Sequence, residues 1–404
     1  MIPFKSLATA LIFWGQQQTA QYLSIIHFDN EQFGMYQQHQ IKTFIEDLQY
    51  NLYGNTHSIN PSAAHTDKIV TQVRMKILNW LGFNADLYTV IFIPGLPAAL
   101  KLIYIRQSVE GQFGMFASNN NNINAQIEDI QNKAHIFLDI SSIASTIPIA
   151  ISKIAVNTKI QSNILSYNSE VDYVFFSLDR IFGIPLQGLS VLVAKDSAMN
   201  IFDKTYFGGG TVTLSLAEES FKQWRPLVCS RFEDGTVPFL SIVSADHGFQ
   251  TLDSMIRSGM NRLDIMQEIF KHTQSLYHWA VQELGLLKHT NGQHICRVIN
   301  SYEKDDYIQN NNIILHQPLF SFDLLDVDGL EFSQEQVIII AERCNISLGT
   351  SIAHPNKKSI RVSLGYLNTF NDIEALISFV TFHFKNISIQ QFNSFFHIHF
   401  KSSS

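Results

Sequence analysis

The apolar positions of the chain follow two spacings. Short continuous apolar runs occur at Tyr88–Ile93, Ala134–Asp139, Val171–Ser177 and Leu189–Ala194, the pattern of strands buried on both faces of a parallel sheet. Between them the spacing becomes helical. A helix is predicted from Gln38 to Leu52, and Ile69, Val73, Ile77, Trp80 and Leu81 predict another over 66–82, with Gly82 as its C-cap. A further helix is predicted from Met255 to Leu284. Strands at Ile295–Ile299, Ile313–His316 and Leu319–Leu324, then a helix from Ser333 to Arg343, describe a second, smaller domain. Beyond Phe384 the chain reads as a short aromatic-rich ending. The pattern predicts an α/β protein. An N-terminal helix or arm covers 1–30, a large domain with a mostly parallel sheet flanked by helices covers 31–285, and a small α+β domain covers 286–404.

Polar residues at the ends of such strands face the crevice where α/β folds place their ligands. Asp139 and Ser177 hold that position, and Ser177 runs into a turn rich in glycine and proline, with Gly183, Pro185 and Gly188. Gly95 follows the strand Tyr88–Ile93, and Pro97 starts the next helix.

At 404 residues, with 46% hydrophobic and 16% charged, the chain buries enough for one large domain and a smaller one. A net charge of −7 with no basic stripe argues against a nucleic-acid or anionic-membrane surface. Three widely spaced cysteines, Cys229, Cys296 and Cys344, suggest neither a disulfide frame nor a zinc site. A reducing, cytoplasmic setting fits them. Cys344 is expected in the core. The apolar run Leu7–Trp14 reads as part of a packed N-terminal helix rather than a secretion leader. No apolar run is long enough to span a bilayer.

Several stretches carry a likeness to a known family. S-L-D-R-I-F-G from Ser177 resembles the lysine loop S-F-Y-K-I-F-G of molybdenum cofactor sulfurases, which belong with cysteine desulfurases among class V aminotransferase-like enzymes. Tyr53 to Ser58, Y-G-N-T-H-S, is close to that family's Y-G-N-P-H-S, and places Asn55 and His57 near the active-site mouth. T-Y-F-G-G-G-T-V from Thr205 resembles T-Y-F-S-G-G-T-V, in which the glycines and threonine reach across a dimer interface to the neighbouring phosphate; here they are Gly209, Gly210 and Thr211. F-E-D-G-T from Phe232, F-L-S-I from Phe239 with His247 and Gly248, and R-V-S-L-G-Y from Arg361 continue the likeness. The resemblance implies the pyridoxal-phosphate-dependent fold type I. It gives Gly95 a phosphate-binding place at a helix start and Asp139 the place of the aspartate that pairs with the pyridine nitrogen.

The departures fall on the chemistry. Arg180 stands where the family's lysine holds the cofactor. Pro97 replaces the phosphate-binding threonine, removing a hydroxyl and a backbone N–H. In C-N-I-S-L-G-T-S-I-A-H-P, Gly349 replaces the substrate-binding arginine, and Ile352 and His354 lie where the loop cysteine belongs. Between 104 and 138 the chain is shorter than the family's, and no residue there is assigned to ring stacking. No covalent aldimine is expected, because a guanidinium with a pKa above about 12 supplies no neutral amine. Three readings stay open. One is a noncatalytic relative that forms a homodimer, or a heterodimer with an active homologue. The second holds pyridoxal phosphate or another phosphorylated ligand noncovalently, with Ser177, Arg180 and Thr211 as contacts. The third is new chemistry in the old cleft, with His354 or His57 as acid–base.

Overall fold

A computed structural model describes residues 25–104, 112–117, 134–150, 165–166, 171–183, 188–200, 204, 206–216, 218–219, 221–256, 260–299, 317–354 and 357–400. The expected N-terminal helix up to residue 24, the asparagine run 119–122, Pro185, the lysines at 153 and 159, and the strand at 313–316 lie outside them. Contacts divide the chain into a large unit, Tyr36–Gln267, and a small unit made of Met1–Met35 and Glu268–Ser404. The division falls at 267/268 rather than at 285/286, inside the helix Arg262–Leu286. Residues 25–35 belong with the small unit, where Ile26–His27 pairs in parallel with Ile346–Ser347.

The large unit is built on helices α1 (Gln38–Tyr50) and α2 (Pro61–Leu81), then β1 (Tyr88–Ile93), α3 (Leu96–Tyr104), β2 (Gln112–Ala117), β3 (Ala134–Asp139), β4 (Tyr173–Ser177) and β5 (Ser190–Lys195). Its sheet has the order β1-β5-β4-β3-β2. Only β5 runs against its neighbours. Just twelve residues, 178–189, join β4 to β5, and so short a link returns the chain antiparallel rather than carrying a full crossover. The segment between 104 and 138 contributes β2, which pairs in parallel with β3 along its whole length.

Helix α2 starts before the apolar spacing begins. Asn60 accepts a hydrogen bond from Ala63 N at 2.8 Å and Pro61 takes the first helical position, a cap and a pre-set φ together. It ends at Gly82, left-handed at φ 73°. One face of the sheet buries Phe137, Tyr173, Phe175 and Leu192 with Ile103 and Met199. Elsewhere in the unit Trp80 of α2 meets Phe176 edge-on, and Phe249 of α4 (Phe239–Asp253) meets Trp80 and Phe182 edge-on, each such ring stabilising the fold by about 2–3 kcal/mol through burial.

The predicted helix Met255–Leu284 is corrected: α4 ends at Asp253, and α5 covers Arg262–Leu286. The break has a local cause. Asn261 N donates to Asp264 Oδ2 at 2.7 Å and Asp264 N donates to Asn261 Oδ1 at 3.1 Å, a reciprocal cap that starts a new helix.

The small unit has a four-stranded antiparallel sheet of β6 (Cys296–Ile299), β7 (Leu319–Leu324), β8 (Gly349–His354) and β9 (Lys357–Ser363), in the order β6-β7-β9-β8. Three further helices complete it: α6 (Gln334–Arg343), α7 (Phe370–Phe384) and α8 (Ile389–Phe400). Helix α7 is entered through a capping box of Thr369 and Asp372. Within the aromatic-rich ending, Ile389–Phe400 forms helix α8. Phe392 and Phe396 of α8 are buried, and Phe392 packs on Phe332 and Phe384. Cys344 is exposed, contrary to the core placement expected of it. It caps α6, and Asn345 at φ 58° turns the chain there towards Ile346. Among the described residues no helix is long and apolar enough to cross a membrane.

Candidate functional site

Strands β1, β3 and β4 run in one direction, so Gly95, Asp139 and Ser177 all follow or end strands at the carboxyl edge of the sheet, where such folds bind ligands. Gly95 is at φ 92°, and its carbonyl accepts from Ala99 N at 3.2 Å as α3 begins. Its left-handed turn is open to glycine and strained for any residue with a Cβ. Asp139 closes β3. Its Oδ1 accepts the Ser141 backbone N–H at 2.9 Å and the Ser141 hydroxyl at 2.5 Å.

Ser177 ends β4, and its hydroxyl donates to Asp179 at 2.5 Å while lying 3.1 Å from the Ser190 hydroxyl. Arg180 is half-buried on the helical turn Asp179–Phe182. Both ends of that turn are fixed. Phe182 N donates to the Leu178 carbonyl, Leu178 N donates to Leu189 O, and Gly183 at φ 70° receives the chain. Phe182 itself is clamped, since a Cβ at Gly248 would lie 2.6 Å from its ring and Gln40 donates to its carbonyl at 3.3 Å. Position 180 thus rides on a helical turn hydrogen-bonded at both ends.

Gly210 and His57 are brought together: a Cβ on Gly210 would lie 2.9 Å from the His57 ring. The Thr211 hydroxyl donates to the Gly208 carbonyl at 2.7 Å, so it is spent on the turn that leads into the hairpin Val212–Ser215 and Lys222–Trp224. Glu233 of the F-E-D-G-T stretch is scaffold. It grips Arg74 through two hydrogen bonds of 2.8 Å and takes the Phe92 backbone N–H.

In the small unit, Gly349 leaves no room for a side chain. A Cβ there would lie 2.5 Å from Asp29 Oδ1 and 2.9 Å from Arg361 Nε. Asp29 and Arg361 form a largely buried ion pair at 2.6 Å across that spot. His354 ends β8, in register with Lys357.

Sequence reasoning missed one cluster in the large unit. Asp47 of α1 accepts hydrogen bonds from the Tyr53 hydroxyl at 2.6 Å, from Asn51 at 2.6 Å and from His247 Nε2 of α4 at 2.9 Å. Burial opposes the charge on Asp47, but these hydrogen bonds more than offset it and hold the carboxyl below its ordinary value. Burial, then the neighbouring carboxylate, push the Tyr53 phenol above its own. Polar residues at helical spacing on α1 and α4 were the signal available, but nothing in one chain shows that residues 200 apart meet.

The sequence pattern of the aminotransferase class-V family matches residues 121–376. Among curated proteins, the molybdenum cofactor sulfurase of Homo sapiens is 26% identical over 88% of this chain and 49% of its own length. That of Danio rerio is 25% identical over 88% and 53%. The chain therefore spans about half the length of these relatives. Among solved structures, the cysteine desulfurase of Thermococcus onnurineus NA1 superposes with a TM-score of 0.64 at 13% identity, covering 88% of this chain and 93% of that one. The cysteine desulfurase CsdA of Escherichia coli gives 0.60 at 13%, covering 92% and 97%. The fold is the fold type I of pyridoxal-phosphate-dependent enzymes. With its family pattern matched over more than half of its residues on that fold, the chain belongs to the aminotransferase class-V family.

Proposed function

We propose that this chain is a noncatalytic relative of the molybdenum cofactor sulfurases and cysteine desulfurases, one that works in the cytoplasm as a dimer, through its surface. The reading rests on Arg180 of the helical turn Asp179–Phe182, which the likeness of Ser177–Gly183 to the lysine loop puts where the family has its lysine. A permanently protonated guanidinium makes no covalent bond to an aldehyde cofactor. Groups in each unit, taken separately, support the same conclusion. The Ser177 hydroxyl is turned to the Asp179 carboxylate, whose charge disfavours a phosphate. Asp139 is occupied by Ser141. The Asp29–Arg361 pair fills the space that an arginine side chain at position 349 needs. These residues do not fit a covalently held pyridoxal phosphate.

Exposed apolar side chains on the large unit, among them Leu52, Ile59, Tyr206 and Leu227, are available to the interface of a homodimer or of a heterodimer with an active homologue. A second reading, noncovalent binding of pyridoxal phosphate or a similar phosphorylated ligand, is favoured by the retained left-handed turn at Gly95 before α3. The test is to supply purified protein with cysteine and pyridoxal phosphate, and to measure alanine release alongside molar mass by light scattering. The proposal expects a dimer mass and no alanine above the protein-free control. Sustained alanine release, or a monomer at all concentrations with no binding to an active homologue, contradicts it.

A further inference from the structure

Cys296 is buried in β6 and Cys229 is half-buried, whereas Cys344, which caps α6, is exposed. Its Sγ lies 3.4 Å from Nε2 of His383 in the last turn of α7. The two residues meet because α6 and α7 of the small unit pack into one core through Ile340, Ala341, Phe379 and Val380. Both side chains are held in place. The Cys344 backbone N–H donates to the Ile340 and Ala341 carbonyls at 3.0 and 2.9 Å. The His383 ring lies against Phe379 and Phe382, with ring centroids 5.2 and 4.9 Å away, so its rotation is restricted and Nε2 is presented to the sulfur.

Partial burial raises the Cys344 thiol above its ordinary pKa and lowers His383 below its own. Near neutral pH both are uncharged, and a single hydrogen bridges sulfur and nitrogen. This is not the thiolate beside an imidazolium that makes a cysteine nucleophilic. It is a converging sulfur and nitrogen donor whose bridging proton a metal ion can replace. The donor set narrows the ion. Among the described residues no third His, Cys, Asp or Glu side chain joins the pair, so they supply neither the four ligands of a structural zinc site nor the oxygen shell of calcium or magnesium. The ion must also bind sulfur strongly enough to displace a thiol proton held more tightly than usual. A thiolate with an imidazole selects a soft ion content with few ligands, and Cu(I) has that character.

We propose that Cys344 and His383 form a two-coordinate Cu(I) site on the small unit. The ion enters between Sγ and Nε2 from the exposed side of Cys344, the thiol proton passes to solvent, and the copper stays monovalent because no electron is transferred. One positive ion replaces one proton, so the site keeps its charge. No residue of the Ser177–Gly183 stretch takes part, and the site stands whatever becomes of the pyridoxal phosphate reading.

The full chain, reduced and kept free of oxygen, is titrated with Cu(I) against the competing chelator bicinchoninate, and the loaded protein is read by copper X-ray absorption. The expected result is a single tightly held ion per chain, with one sulfur and one nitrogen neighbour. Cys344→Ser and His383→Gln should each weaken binding by more than about tenfold, the smallest loss that removal of even an outer-shell partner causes. The absorption spectrum needs no variant, so it decides the matter even where a substitution disturbs α7. The proposal is overturned by no uptake against the chelator, or by a copper environment with two sulfurs or no nitrogen. Unchanged affinity in His383→Gln, the behaviour of a bare thiol, or in Cys344→Ser overturns it equally.

Discussion

A lysine and an arginine at position 180 carry the same charge and differ in one equilibrium. The lysine ammonium releases a proton when desolvated, whereas the guanidinium does not. Yet restoring the lysine restores only the anchor. On the likeness to the family, Ile352 and His354 lie where the loop cysteine would be, and Gly349 where the substrate arginine would be. Arg180→Lys is therefore expected to give no alanine from cysteine in the presence of pyridoxal phosphate, and measurable turnover in that variant would show that the anchor was the sole missing part. Gly349→Arg is expected to destabilise the chain by about 1–3 kcal/mol, read as a lower urea midpoint. Its Cβ meets Asp29 and Arg361 at 2.5 and 2.9 Å, and its charge adds a second cation beside Arg361. Equal or higher stability would mean that Asp29 can turn from one arginine to the other.

At the scale of elements, glycine and capping contacts decide the outcome. Gly248 lets α4 approach Phe182 so closely that a methyl group would sit 2.6 Å from the ring. Gly248→Ala is expected to cost about 1–3 kcal/mol and to lower the melting temperature; the unchanged melting curve of a relaxed ring would count against the clamp on the Arg180 turn. Thr369→Ala removes one half of the capping box of α7 and should cost about 1 kcal/mol. Much of this level was legible in the sequence. Strand β1 runs from Tyr88 to Ile93 and β3 from Ala134 to Asp139, as their apolar runs indicate, because a strand buried on both faces writes itself as a continuous run. The break before α5 was not legible, since Met255 and Ile256 keep the helical spacing and the Asn261–Asp264 cap that ends it is a two-residue signal. The ion pair of Asp29 with Arg361 and the dyad of Asp47 with His247 were hidden for a different reason. Their partners are 332 and 200 residues apart, and only tertiary packing makes them neighbours.

At the scale of the whole molecule, buried histidines tie the fold to pH. Burial lowers the pKa of His27 and of His272 below the ordinary value of a histidine, so both are held neutral in the folded chain. The unfolded chain takes up protons first as pH falls, so their contribution is complete above about pH 6.5 and is lost progressively below it, down to the folded pKa. Urea unfolding of the full chain should therefore show a midpoint that declines from pH 7 to pH 5, with a shallower decline in His272→Gln; identical slopes would remove His272 from the account. The central claim, a fold type I scaffold that no longer anchors its family's coenzyme, is tested most directly by borohydride trapping. The protein is incubated with pyridoxal phosphate, reduced, denatured and weighed by intact-mass spectrometry. The account predicts an unmodified mass, with no pyridoxyl adduct in stoichiometric yield. A stoichiometric adduct mapped to any amine of the chain would contradict it.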